Sequence, residues 1–178
     1  MQDAGIPVIP GITEPVSTPE AALEMAHEIG FPVLVKAAAG GGGKGMRVVE
    51  EPGELTAAFE TAQREAQSAV GDGTLYLEQA LKQPRHIEVQ ILADTQGSVL
   101  HLGERECSIQ RRHQKLVEEA PATALSTAER ESIGSTAVQA ATAIGYTGAG
   151  TVEFLYEDGN YYFLEMNTQL GKAERMYN

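Results

Sequence analysis

Residues 33–49 set two runs of strand formers, Val33-Leu34-Val35-Lys36-Ala37 and Met46-Arg47-Val48-Val49, on either side of Gly40-Gly41-Gly42-Gly43-Lys44-Gly45. Only glycine takes positive φ without a Cβ clash, so the pattern predicts two strands joined by a loop of nearly bare amides that can close around an anion. A flexible linker would usually mix glycine with serine and would not be framed by strand formers. A dinucleotide fingerprint needs a helix at its last glycine, and here a strand begins; a Walker loop needs Ser or Thr after Gly-Lys, and here Gly45 follows Lys44. The expectation left is a glycine-rich hairpin that folds over phosphates like a lid. Lys36 in the strand beneath and Lys44 in the loop would neutralise phosphate charge.

Charge narrows the partners. With 13 Lys and Arg against 25 Asp and Glu, the net charge of -12 argues against general nucleic-acid or membrane-surface binding, because polyanions would be repelled. A single cysteine, Cys107, excludes an internal disulfide, and neither a membrane-spanning apolar run nor a basic, apolar leader is present, so cytoplasm is the expected location. At 178 residues there is enough chain for one domain or two small lobes.

Periodicity divides the chain. Residues 1–17 read as an extended lead-in, fixed by Pro7 and Pro10 and followed by loop. A helix capped by Thr18 or Ser17, with Pro19 at its first position, turns Ala22, Leu23, Ala26 and Ile29 inward. A second helix, over 54–70, carries Leu55, Ala58, Phe59, Ala62, Ala66 and Ala69 at helical spacing. With strands at 33–38, 46–50 and 74–78, these make an α+β lobe over 18–82, ending near Lys82-Gln83-Pro84. A second, sheet lobe is expected over 83–168. In it Ile87, Val89 and Ile91 alternate with His86, Glu88 and Gln90, giving one core face and one polar face. A strand over 98–106, a strand-like 116–121, a helix opened by the Ser126-Glu129 capping box with Ile133, Ala137, Ala140 and Ile144 inward, and a hairpin around Asp158-Gly159 complete the lobe.

Two groups could carry chemistry. Glu153, Glu165 and Asn167 lie on two strands of otherwise apolar or aromatic residues, and an all-oxygen set suits a hard cation such as Mg²⁺, although strand charges can equally be a solvated face. If they bind one ion, the hairpin must pair Glu153 with Glu165 directly or at an even offset. A strict two-residue Asp158-Gly159 loop pairs Glu153 with Leu164, so a three-residue loop, Asp158 to Asn160, or a bulge is expected. Gln110, His113 and Lys115 alternate and would share a side if that segment is extended; a solvated basic loop is the other reading, and spacing does not decide between them. His86 and Glu88 carry no more signal than an ordinary polar strand face, and Cys107 is expected buried rather than reactive.

Lys36 with Ala39-Gly40-Gly41-Gly42-Gly43-Lys44-Gly45-Met46-Arg47, Pro84-Arg85-His86-Ile87-Glu88-Val89-Gln90, Glu104-Arg105-Glu106-Cys107-Ser108-Ile109-Gln110-Arg111-Arg112-His113-Gln114-Lys115 and Glu165-Met166-Asn167-Thr168 together resemble the ATP-grasp core of biotin carboxylase, the unit shared by acetyl-, propionyl- and pyruvate-carboxylase systems. The resemblance runs from about Gly5 to Thr168. It implies an ATP-grasp fold of the α+β class, with a small lid lobe bearing the glycine hairpin and an antiparallel-sheet lobe with packed helices. It also implies ATP and Mg²⁺ or Mn²⁺ as cofactors, bicarbonate as co-substrate, biotin as substrate of the parent enzyme, and a biotin carboxyl carrier and carboxyltransferase as partners.

By the same resemblance, Lys36, Gly41, Gly42, Gly43, Lys44 and Gly45 hold phosphates, and Glu78, Gln79, Ala80 and Leu81 form the hinge that meets adenine. His86 meets the ribose, Gln110 and His113 complete the nucleotide site, Lys115 binds bicarbonate, and Glu153, Glu165 and Asn167 hold magnesium. The chain departs from the family after Thr168, where an arginine and a Gln-Val-Glu-His segment are replaced by Gln169-Leu170-Gly171-Lys172-Ala173-Glu174. Residues 169–178 are therefore expected to be a non-family tail, and the family's flanking domains to be absent. The expected behaviour is ATP binding without full turnover; the alternative is a non-catalytic nucleotide-binding or self-assembling module. A different ATP-grasp ligase, such as a carbamoyl-phosphate-type enzyme, is a distant third reading. Bared strand edges would favour self-association.

Overall fold

The computed structural model describes residues 1–11, 14–38, 46–111 and 114–168. The lid residues Gly41, Gly42, Gly43, Lys44 and Gly45, as well as His113 and the segment from Gln169, lie outside the described residues. The chain forms two units, one of Ile9–Lys82 and one of Met1–Val8 with Gln83–Asn178.

In the first unit, β1 (Val33–Ala37) lies between β2 (Met46–Val49) and β3 (Leu75–Gln79), antiparallel to both. Helix α1 (Pro19–Ile29) starts as its sequence dictates. Thr18 accepts a hydrogen bond from the Ala21 amide at 3.2 Å, and Pro19 costs no hydrogen bond at the first helical position. Helix α2 (Leu55–Val70) buries Leu55, Phe59 and Ala62 with Val33, Val35, Leu75 and Leu77 of the sheet; Ala66 is also buried, and Ala69, in the last turn, is exposed.

The second unit holds an antiparallel sheet in the order β5 (Val99–Glu106), β4 (Arg85–Ala93), β8 (Gly148–Glu157), β9 (Asn160–Thr168), and a small hairpin of β6 (Gln110–Arg111) and β7 (Gln114–Lys115). Ile87, Val89 and Ile91 of β4 and Val152 and Phe154 of β8 pack against Ile133, Ala137, Ala140 and Ala141 of α3 (Thr127–Ala143). Both limbs of the Ser126-Glu129 capping box are made. Among the described residues no helix is long and apolar enough to cross a membrane.

Three local expectations change. The first part of the lead-in is built into the sheet unit: Ile6 is buried in its core, and the Phe163 amide donates to the Pro7 carbonyl at 2.7 Å. Residues 116–121 do not form a strand, because the pairing reduces to one bridge, Glu106 with Glu119. Ile144 is exposed, since α3 ends at Ala143 and Gly145 turns the chain away with φ 60°.

The β8–β9 hairpin decides which carboxylates share a face. Asp158 and Gly159, at φ 50° and 83°, make a two-residue turn between paired Glu157 and Asn160, so the three-residue loop is not formed. The register shifts instead between Phe154–Phe163 and Glu153–Glu165, with Leu164 as the extra residue. This bulge brings Glu165 opposite Glu153.

Candidate functional site

One row of residues crosses all four strands of the larger sheet on the face away from α3. Arg105 of β5 stands opposite Glu88 of β4, Glu88 opposite Glu153 of β8, and Glu153 opposite Glu165 of β9. Period-two alternation puts these four on the polar face while Ile87, Val89, Val152 and Phe154 go to the core. Glu88 and Glu153 are nonetheless buried, at 4% and 2% exposure, so each charge needs a partner.

The partners are basic and close. Lys115 Nζ ion-pairs with Glu88 Oε2 and donates to Glu153 Oε1 at 2.6 Å. Arg105 grips Glu88 Oε1 through Nε at 2.6 Å and a terminal nitrogen at 2.5 Å, and also reaches Gln90 at 3.3 Å and Glu118 at 3.6 Å. His86 Nε2 hydrogen-bonds Glu153 Oε2, while His86 Nδ1 accepts from Gln110 Nε2 at 2.6 Å. That arrangement fixes the Nε2–H tautomer. Gln110 Nε2 also donates to the Cys107 carbonyl at 2.8 Å. Asn167 Nδ2 donates to Glu153 Oε1 at 2.7 Å and to Glu165 Oε1 at 3.4 Å.

Lys115 and Gln110 are brought together by a hairpin rather than by an extended segment. They are direct cross-strand partners, as are Arg111 and Gln114, so the segment doubles back instead of running straight as alternation required.

The electrostatics follow from these contacts. Burial pushes the Glu153 carboxyl up, but hydrogen bonds from His86 and Lys115 outweigh it and hold its pKa at about 2. Glu88 is likewise lowered: burial raises it, and Lys115 and Arg105 more than compensate. Lys115 is raised, because its bonds to Glu153 and Glu88 exceed the cost of its burial. Burial, reinforced by the Glu88 charge, pushes the Cys107 thiol up to about 12, so it is no thiolate at neutral pH. Ligand atoms of Glu88, Cys107 and Glu118 do lie within 4.8 Å of one another, but Arg105 holds both carboxylates and the sulfur stays protonated.

In the Ile9–Lys82 unit, Lys36 Nζ is ion-paired with Glu78 across β1 and β3. The Gln79 amide donates to the Pro10 carbonyl at 2.8 Å and the Ala80 amide to the Pro32 carbonyl at 2.9 Å, which ties this strand end down. Gly11 presses directly on Glu78: a Cβ there would stand 2.8 Å from the Glu78 Cβ.

Sequence reasoning passed over Glu88 as an ordinary strand residue and did not single out Arg105. The available signal was the register itself, since Glu88 and Glu153 can be opposite only if the crossover strand β8 pairs with β4, and no local pattern encodes that.

A three-stranded α/β unit whose first two strands flank a glycine run, and an antiparallel sheet presenting carboxylates and a lysine, define an ATP-grasp protein. The family model described as carbamoyl-phosphate synthase L chain, ATP binding domain, matches residues 1–176, and the chain belongs to that family. The match takes in most of the 169–178 segment. A pyruvate carboxylase subunit from Methanothermobacter thermautotrophicus is 58% identical over 170 residues, covering 96% of this chain and 35% of that protein. Biotin carboxylase of a Nostoc species is 55% identical over 171 residues, with 96% and 38% covered. Among solved structures, the Campylobacter jejuni biotin carboxylase-beta-gamma-ATP complex superposes with TM-score 0.86 at 53% identity, over 97% of this chain and 39% of that one. The biotin carboxylase domain dimer of Hydrogenobacter thermophilus 2-oxoglutarate carboxylase, in complex with MgADP, ADP and bicarbonate, gives 0.84 at 49%, again over 97% and 39%. The chain thus spans less than two fifths of the length of these relatives.

Proposed function

We propose that this chain is the ATP- and Mg²⁺-binding core of a biotin carboxylase, in which ATP phosphorylates bicarbonate to carboxyphosphate, with ADP as the leaving group, ahead of biotin carboxylation. The observation that carries the reading is the row Arg105–Glu88–Glu153–Glu165 with Lys115 seated on its two central carboxylates. A lysine placed between fixed acids stays charged, and a charged donor at a known position is what an anionic co-substrate needs.

Glu153, Glu165 and Asn167 fit magnesium. One Asn167 amide reaches both carboxylates, so three oxygen-bearing groups converge. When bound, the ion would screen nucleotide phosphates and polarise the one transferred. Lys36 is assigned to the phosphates with Gly41, Gly42, Gly43, Lys44 and Gly45, Glu78 to Leu81 to adenine, His86 to ribose, and Gln110 and His113 to the nucleotide. His86 has both ring nitrogens engaged, by Gln110 and Glu153, so its ring is held in one plane.

Gln169 and Ala173 stand where the resemblance places an arginine and a glutamate. Gln169 lacks the charge and fork to clamp an anion, and Ala173 cannot take a proton. We therefore assign this chain nucleotide and metal binding without completed carboxylation. Calorimetry of ATP with Mg²⁺, run beside phosphate release in the presence of bicarbonate and free biotin, tests both halves: saturable binding with no biotin-dependent release is expected. Absence of binding removes the first half, and rapid biotin-dependent release removes the second.

A further inference from the structure

The ladder between β4 and β5 ends irregularly. Ile87 faces Glu106, so His86 and Cys107 are the next opposed pair, and a regular antiparallel pair at that position exchanges two backbone bonds. One of them is made: the Cys107 amide donates to the His86 carbonyl at 2.8 Å. The other is not. The His86 amide donates instead to Ser108 Oγ at 3.1 Å, and the Cys107 carbonyl accepts from Gln110 Nε2 at 2.8 Å.

The Ser108 hydroxyl is aimed for this exchange. Its single proton goes to Glu106 Oε1 at 2.9 Å, an oxygen that Arg85 Nη1 also holds at 2.9 Å, so a hydroxyl lone pair is left for the His86 amide. Gln110 is fixed as a result. One Nε2 hydrogen goes to the Cys107 carbonyl and the other to His86 Nδ1 at 2.6 Å. Turning the amide over would set its oxygen against two acceptors, so the two bonds together hold one orientation. We propose that Ser108 is a positioning residue: by taking the His86 amide it releases the Cys107 carbonyl to Gln110, and Gln110 then holds the His86 ring. Ser108 acts through two side chains assigned to the nucleotide, so its role in binding rests on that assignment under the proposed function.

The test uses the intact chain and follows the Gln110 side-chain amide by nuclear magnetic resonance, its signals assigned by their loss in Gln110→Leu. In the wild type both amide hydrogens should exchange slowly with water. In Ser108→Ala the Cys107 carbonyl should return to the His86 amide, seen as a scalar coupling across the new hydrogen bond, and one Gln110 hydrogen should exchange rapidly. MgATP, measured by calorimetry, should bind about threefold to tenfold more weakly, the range for one net hydrogen bond. Ser108 is exposed, so larger side chains fit there. Ser108→Val should repeat both losses, and Ser108→Thr, of the same shape with the hydroxyl kept, should reverse them. Slow exchange of both Gln110 hydrogens in Ser108→Ala or Ser108→Val, whichever folds by circular dichroism, overturns the proposal, as does a loss that Ser108→Thr shares with Ser108→Val. Unchanged MgATP affinity in Gln110→Leu overturns the assignment of Gln110 to the nucleotide instead, and the exchange measurement still decides whether Ser108 positions it.

Discussion

Glu88 and Glu153 face each other across neighbouring antiparallel strands and share the ammonium of Lys115. Two buried carboxylates at the separation of directly opposed strand residues would repel each other strongly without it. Replacing Lys115 with Met therefore strips both acids of a common partner. At neutral pH the loss should be about 3 kcal/mol, the low end for a buried charge left unpaired, because Arg105 and His86 still hold one carboxylate each. Urea melts at pH 7 and pH 4 check this: the deficit should shrink at pH 4, where the orphaned carboxylates take up protons.

The same pairing sets the acid limit of the wild type. Glu153 titrates at about 2 in the folded chain, down from an ordinary 4.5, so the unfolded chain binds more protons across that interval. Its contribution to stability is complete above about pH 4.5 and is lost as pH falls toward 2; the depressed Glu88 acts in the same direction. Thermal melting followed between pH 7 and pH 2 should be flat in its upper part and fall steeply in the lower. Glu153→Gln should flatten that fall.

Gly11 offers a packing test in the other unit. A methyl there meets Glu78 Cβ and Cα and the Leu77 carbonyl at 2.8 to 2.9 Å, and backbone atoms cannot swing aside. Gly11→Ala should cost about 1–3 kcal/mol, as overpacking generally does. If Glu78 to Leu81 meet adenine, the displaced strand end should also weaken nucleotide binding beyond what lost stability explains, which calorimetry on the folded fraction can separate.

Legibility followed the range of the interactions. The caps at Thr18 and Ser126, the helical stripes and the alternation of β4 are set by neighbours within a turn or two, and each was readable. The β6–β7 hairpin was not, because Gln110-Arg111-Arg112-His113-Gln114-Lys115 carries neither glycine nor proline to announce a turn. The Leu164 bulge was anticipated only as one of two ways to reconcile a short turn with Glu153 facing Glu165. Arg105 stayed hidden because its meaning lies in Glu88, a partner 17 residues away on another strand.

Lys36 gives the most direct test of the nucleotide reading. It is half-exposed and ion-paired with Glu78, so in the free chain its charge is already shared. A phosphate must draw the ammonium from that carboxylate, and a charge-assisted bond to a charged group contributes about 1.5–3 kcal/mol net. Lys36→Ala should therefore weaken MgATP roughly tenfold to a hundredfold. Glu78→Gln separates the two roles of the pair. If Glu78 only competes for Lys36, affinity should rise, whereas if Glu78 aims the lysine, affinity should fall with Lys36 still present. Titration calorimetry of the three proteins with MgATP distinguishes these outcomes, and unchanged affinity in Lys36→Ala would remove Lys36 from the phosphate site.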